Sequence, residues 1–257
     1  MAAPHLTSEE VVLIPKHFPS PSHLGEIVER YKLLRLHGLK ADPASFTSTY
    51  EQESQFPYET WQGRIINQGS KTFVAVTGPD KSPDTSDLSS SVELEESHGA
   101  LQTLLRKEWA GIVTILGPVK FPEQSAGSAT SPEKPWQLFI QDGKYRIPPA
   151  TSMAEDLTSA HAVYLIVGMF VLPQSRRKGH AHRLLDAAAE VVKTEAITRG
   201  ADKATITVEV QSGNFGGKLL YERAGYHVED DAVAMQTQDG GESYVKTLAK
   251  PIDLNEL

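Results

Sequence analysis

The sequence predicts an α/β domain, and three observations predict it. Residues Ala162 to Ala189 (AVYLIVGMFVLPQSRRKGHAHRLLDAAA) read as a buried strand, a basic turn and a helix. Nine of the eleven residues from Ala162 to Leu172 are apolar without clean alternation, which suits a strand covered on both faces, and Pro173 stops it. Lys203 to Gln211 alternates Ile206, Val208 and Val210 against Thr205, Thr207, Glu209 and Gln211, and a helix-like segment follows it from Asn214 to Ala224. Finally, Tyr226–Met235 and Ser243–Ala249, joined through Asp239-Gly240-Gly241, have the form of a closing hairpin. Strands and helices interleaved in this way pack helices on a sheet.

Taken in order, Val11 to Pro15 is a short apolar run suited to a first strand. Leu24, Ile27, Val28, Tyr31 and Leu34 recur at helical spacing, with Gly38 placed to end a helix over 23–37. In Ser45 to Ile66, Pro57 suits a first helical position and Tyr58, Trp61 and Ile65 make one face. Lys71 to Thr77 sets Phe73 and Ala75 against Val74 and Val76, as a second strand does. Gly78 to Ser97 is acidic and serine-rich and reads as a loop; Leu101 to Trp109 reads as a short helix and Gly111 to Leu116 as a core strand. Gly117 to Pro135 reads as a surface linker, and Trp136–Ile140 with Lys144–Ile147 as a hairpin about Asp142-Gly143. Gly200 is placed to close the helix that follows the basic turn, Leu219, Leu220 and Ala224 to face inward from the next, and Gly225 to terminate it.

A chain of 257 residues is ample for a substantial core, and we expect one domain with insertions near 78–107 and 117–159. The net charge of −8 argues against a general nucleic-acid binder, because phosphate neutralisation needs basic surface. The absence of cysteine excludes a disulfide framework, a thiolate nucleophile and a thiolate metal site. No stretch is long and apolar enough to cross a bilayer, and no basic segment leads a long apolar run, so a cytoplasmic protein without membrane contact is expected.

The basic turn carries the chemistry. Arg176, Arg177, Lys178 and Gly179 stand at a helix start, where unpaired N–H groups and the positive end of the helix dipole favour a phosphorylated ligand. Arg176-Arg177-Lys178-Gly179-His180-Ala181 resembles the phosphate-binding signature Arg/Gln-x-x-Gly-x-Gly/Ala of the GCN5-related N-acetyltransferase (GNAT) superfamily. Met169-x-Val171-x-Pro173 precedes it and Leu184-Leu185 follows it as in that family. Asn214 to Tyr226 resembles a second family motif, Asn-x-x-Ala-x-x-Leu-Tyr-x-x-x-Gly-Phe/Tyr, with Gly217 where alanine is usual. The firm resemblance spans Ala162 to Tyr226, and two motifs in the right order are far more specific than either alone.

This resemblance implies a mixed, mostly antiparallel central sheet with splayed central strands, flanked by helices. It implies acetyl-CoA as cofactor and transfer of its acetyl group to a primary amine, small-molecule in our reading; a peptide or protein acceptor and a non-catalytic CoA-binding module are the alternatives. Residues Arg176 to His182 and Asn214 would meet the phosphate and pantetheine portions, and the backbone of Met169, Phe170 and Val171 would pair with the pantetheine amides. An amide at that strand end would polarise the thioester carbonyl. Tyr221 maps onto the family tyrosine that protonates the departing thiolate, and a phenol with a pKa of about 10 is protonated at neutral pH. Glu209 is the candidate general base, its plain alternative being a solvated strand glutamate. His161, His180 and His182 fall far from the thioester, and His182 reads as a phosphate contact. The helices between the first two strands wall the acceptor site in this family, so Tyr50, Glu51 and Glu53 are candidate acceptor-binding residues; a solvated acidic helix end is their plain alternative. The 117–159 insertion, long for this family, would cover or flank the site. With no cysteine to carry an acyl group, direct attack in a ternary complex is expected.

Overall fold

The computed structural model describes residues 10–78, 92–122, 134–145, 156–236 and 241–255. The elements run β1 (Glu10–Leu13), α1 (Pro21–Ala41), α2 (Tyr50–Glu53), α3 (Tyr58–Ile66), β2 (Ser70–Thr77), α4 (Val92–Arg106), β3 (Glu108–Phe121), β4 (Ile140–Gln141) and β5 (Lys144–Tyr145). They continue with β6 (His161–Val171), α5 (His180–Thr198), β7 (Lys203–Gln211), α6 (Phe215–Arg223), β8 (His227–Gln236) and β9 (Glu242–Ile252). Among the described residues, seven strands form one sheet in the order β1-β2-β3-β6-β7-β9-β8, and β4 and β5 form a small separate pair. Every neighbouring pair in the large sheet is antiparallel except β6 and β7, which are parallel and joined through α5.

The sheet buries both faces, which explains the unbroken apolar run of β6. In β2, Phe73 and Ala75 join the core formed with Leu184, Leu185, Ala188 and Val192 of α5. Val74 and Val76 face the other way, into a core built with Ile27, Val28 and Tyr31 of α1 and Trp61 and Ile65 of α3. The small insertion packs onto the sheet through Phe139 against Leu116, Val163 and Leu165, and through Trp136 and Ile140 against Met235 and Val245. Asp230 pins it, accepting from Lys134 Nζ at 2.7 Å and Trp136 Nε1 at 2.9 Å.

Several boundaries differ from the sequence reading for identifiable reasons. Helix α1 runs through Gly38 to Ala41: that glycine admits the Phe170 ring, whose Cγ would lie 3.0 Å from a Cβ placed there. Residues 92–97 belong to α4 rather than to a loop, and Trp109 is the second residue of β3 rather than the end of a helix, its Nε1 donating back to Leu104 O at 2.9 Å. Residues 135–138 form a 3-10 turn, so the predicted hairpin shrinks to β4 and β5 about Asp142-Gly143. Pro57 caps α3 instead of opening it. Leu219 does not face inward; it is 47% exposed, while Tyr221 supplies the buried contact of α6. Residues 117–121, read as the start of a linker, continue β3 in pairing with the beginning of β6, while 79–91 of the expected loop, 123–133 of the linker, residues 146–147 of the hairpin and the turn at 239–240 lie outside the described residues.

One local irregularity shapes the site. Ile112 pairs with Phe170 and Thr114 with Val167, so Gly168 and Met169 together oppose Val113 alone. Such a bulge bends its strand, and Gly168 takes the left-handed conformation it requires, with φ of 64°. The β6–β7 ladder ends at Ile166↔Val208, while β6 runs on to Val171 and β7 to Gln211. Beyond the bulge, β6 is held by close approach to β3, since a Cβ on Gly111 would sit 2.7 Å from Phe170 O. Gly111→Ala should therefore destabilise the fold by about 1–3 kcal/mol, the usual cost of overpacking. Urea unfolding measures the loss, and a variant as stable as the parent would contradict this packing.

Candidate active site

Where β6 and β7 part, a cavity of about 1310 Å³ opens between them and extends under α1, α2 and α3. Met169, Phe170 and Val171 line one wall with their strand, and Val208, Glu209, Val210 and Gln211 line the other. The β6 edge beyond Ile166 and the β7 edge beyond Val208 pair outward with β3 and β9, leaving their facing edges without a strand partner. Such edges hydrogen-bond an extended, amide-bearing ligand as a further strand would.

At the end of β6 a short 3-10 turn leads into α5. Arg177 and Gly179 both adopt the left-handed conformation, with φ of 64° and 82°, and Gly179 caps the helix. Backbone of this kind gathers N–H groups at the helix start, where an anion is stabilised by them and by the helix dipole. Arg176, Arg177, Gly179, His180, Ala181 and His182 line the cavity; Lys178 does not. Arg176 is committed elsewhere: its Nε donates to Val171 O at 3.0 Å and its Nη2 pairs with Asp42. His180 is buried, its Nδ1 lying 3.0 Å from Arg183 Nη2. The amide of Asn214 is also engaged, accepting from Gly217 N at 2.8 Å and donating to Ser45 Oγ at 3.1 Å.

Glu209 and Tyr221 share the β7 side of the cavity. Burial raises the Glu209 carboxyl from its ordinary 4.5 to about 8, and its Oε1 has no hydrogen-bond partner among the described residues. Burial first, and the Glu209 charge second, push the Tyr221 phenol well above its usual value, so it stays protonated. Tyr226 stands edge-on to Tyr221, ring centres 5.4 Å apart.

Among the three candidate acceptor residues, only Glu53 lines the cavity. Tyr50 instead lies under Lys40, whose Nζ is 3.9 Å from its ring centre, and Glu51 is exposed on the short α2. Nor does Glu53 offer a free carboxylate to an amine. It is 1% exposed and accepts from Arg35 Nη2 at 2.6 Å, Arg35 Nε at 3.1 Å and Arg64 Nη1 at 2.8 Å. Burial alone would raise its pKa, but the hydrogen bonds and charges of Arg35 and Arg64 outweigh that and hold it at about 2. None of the described residues of the 117–159 insertion lines the cavity, although Phe139 packs on Leu116 and Trp136 and Ile140 on Val245, both of which do. Arg35 and Arg64 went unrecognised in the sequence. Arg35 is four residues after Tyr31 and so continues the buried stripe of α1, a spacing that could have revealed it.

These features, an open-edged parallel strand pair with an anion-binding turn at its mouth, define an enzyme built for a long phosphorylated ligand. Residues 135–226 match the model of the acetyltransferase (GNAT) family. No curated protein sequence matches the chain. Among solved structures, NAA60 of Arabidopsis thaliana in complex with a bisubstrate analogue is 13% identical, with 95% of this chain and 100% of that one covered at a TM-score of 0.50. The spermidine N-acetyltransferase of Vibrio cholerae, crystallised with CoA and spermine, is 12% identical, with 94% and 95% covered at a TM-score of 0.46. At these identities the likeness is one of fold.

Glu53→Gln leaves the buried Arg35 and the half-buried Arg64 guanidinium groups facing a neutral amide, and should lower stability by about 3 kcal/mol. Because the folded pKa is depressed, the Glu53 contribution is present above its ordinary 4.5 and is lost as pH falls toward about 2. Denaturant unfolding of parent and variant between neutral and acid pH checks both, the gap between them closing in acid.

Proposed function

We propose that this protein is a single-domain N-acetyltransferase that transfers an acetyl group from acetyl-CoA to the primary amine of a small molecule, by direct attack in a ternary complex. The observation that carries the proposal is that Glu209 and Tyr221 line the same cavity at the widening between β6 and β7, with Met169–Val171 on its other wall, and that the Glu209 charge acts on the Tyr221 phenol. Bound acetyl-CoA supplies an activated acyl carbonyl and a thiolate leaving group. The residues present fit it: the turn from Arg177 to His182 offers amides and cations to the pyrophosphate, and the two strand edges offer pairing groups to the pantetheine arm.

The chain's own groups then divide the proton work. Glu209, ionised, receives a proton from the amine at its carboxylate. Tyr221 holds a proton on Oη for the leaving sulfur, and its raised pKa keeps that proton in place over the working range. Backbone amides at the end of β6 polarise the acyl oxygen. Arg176 and Asn214 serve by fixing the two walls, and Phe170 by packing, since its ring sits in the core between Gly38 and Phe46.

Acetyl-CoA is expected to raise the melting temperature, and Gly179→Glu to abolish that rise by placing a side chain and a negative charge in the turn. A wild-type protein whose melting ignores acetyl-CoA would sink the proposal. Tyr221→Phe should lower turnover about 100-fold while leaving the acetyl-CoA-induced melting shift intact.

The pH dependence follows from Glu209. Its folded pKa is raised, so turnover should climb as pH rises through about 8, and Glu209→Gln should remove that limb. The same shift makes the protonated carboxyl's contribution to stability full below the ordinary 4.5 and absent once pH exceeds about 8. Rate profiles and unfolding curves of parent and variant across this range test both statements; a limb that survives in Glu209→Gln assigns it to another group.

A further inference from the structure

The acceptor end of the cavity has the opposite charge from what an amine alone calls for. Beneath α1 and α3 it is lined by Arg35 and Arg64 against the single carboxylate of Glu53. Arg64 is half-buried over the rings of Phe56 and Trp61, 5.2 and 4.9 Å from their centres. The Arg35 side chain is 12% exposed, with its Cζ 4.6 Å from the centre of the Phe46 ring. Glu53 takes Nε and Nη2 of Arg35, which fixes the guanidinium plane and leaves Nη1 buried without a hydrogen-bond partner among the described residues. That nitrogen points to the bulge, 3.9 Å from where a Cβ on Gly168 would lie, close to the opening between β6 and β7.

A buried donor on a charged group is costly when unmade and is rarely left so. A guanidinium clamped on one edge and free on another, inside a ligand cavity, is built to receive a planar anion. The excess positive charge would repel a plain polyamine, while an acceptor bearing its own carboxylate neutralises it. We therefore propose, resting on the acetyltransferase reading, that the acceptor is a small amine that also carries a carboxylate, as a free amino acid does. The carboxylate seats on Arg35 Nη1 with Arg64 behind it, and the amine is left facing Glu209 on β7. Arg35 is thereby a specificity-determining residue, and Glu53 positions it.

The test compares free amino acids with their own carboxamides, pairs that keep the amine and lose the anion. Melting of the protein alone with each member of a pair reads the carboxylate site without any donor, and CoA release with acetyl-CoA present reads turnover. The acid is expected to stabilise the protein more than its amide, and to be acetylated with kcat/KM higher by about tenfold to a hundredfold, as loss of a charged hydrogen bond implies. In Arg35→Met the acid-to-amide ratio should fall toward one. Equal stabilisation and equal turnover by acids and amides in the wild type would overturn the proposal whatever the variant does, and so would an undiminished ratio in a folded Arg35→Met. The two readings fail separately. Release of CoA without acid preference leaves acetyl transfer standing and removes the carboxylate site; acid-selective stabilisation without any effect of acetyl-CoA does the reverse.

Discussion

Everything about this site depends on β6 leaving β7 while remaining in the sheet. A parallel pair would normally continue its ladder to the strand ends, and here it stops at Ile166↔Val208. The bulge at Gly168 and Met169 bends β6 toward β3, and Phe170 and Val171 regain pairing with Ile112 and Gly111 beyond it. On the other side β7 stays paired with β9 as far as Gln211↔Val245. The opening is thus held by its outer neighbours, so its edges are exposed before any ligand arrives. Unpaired backbone is expensive in a dry interior, and it is tolerable here because the edges face a cavity that water or an extended ligand can fill. Affinity gains from such preorganisation, since little of the protein must be ordered on binding.

Two glutamates in one cavity show how environment divides roles. Glu53 and Glu209 are the same chemical group, and burial disfavours the charged form of both. Glu53 has two guanidinium groups in hydrogen-bonding contact and is held at about 2; Glu209 has no such partner and rises to about 8. The first is a permanent charge that fixes Arg35. The second can exchange a proton near neutral pH, as a general base requires.

What was legible in the sequence was whatever is local in the chain. The strand, turn and helix from Ala162 to Ala189, the alternation of Lys203–Gln211 and the cap at Asn214 each depend on neighbours within a few residues, and the structure places them where the spacing puts them. The bulge was invisible because it is a relation between β6 and β3, and Gly168 within an apolar run gives no sign of its partner. The acceptor wall was misjudged for the same reason. Glu51 and Glu53 look alike in sequence, yet only Glu53 lies between Arg35 and Arg64, eighteen and eleven residues away in the chain. The length of the 117–159 insertion against the family pattern suggested that it flanks the site; among its described residues Trp136 and Ile140 pack on Met235 and on Val245, the latter a residue of the cavity lining, without entering the cavity themselves.

The connection between α1 and α2 binds these parts into one device. Asp42 holds Arg176 of the anion-binding turn, Ser45 Oγ accepts from Asn214 at the start of α6, and Phe46 lies against both Arg35 and Phe170. Three neighbouring positions therefore touch the turn, the β7–α6 wall and the acceptor-side guanidinium. This explains why two side chains that a motif would assign to the ligand are used within the protein: Arg176 and Asn214 set the distance between the walls. On the proposed reading, phosphate recognition then falls to Arg177, His182 and the backbone amides around Gly179, all of which line the cavity. Backbone amides cannot be removed by substitution and keep their direction when side chains move, so the donor grip depends on chain conformation. The opposite wall depends on side chains, since Arg35 and Arg64 are held there by their contacts with the buried Glu53.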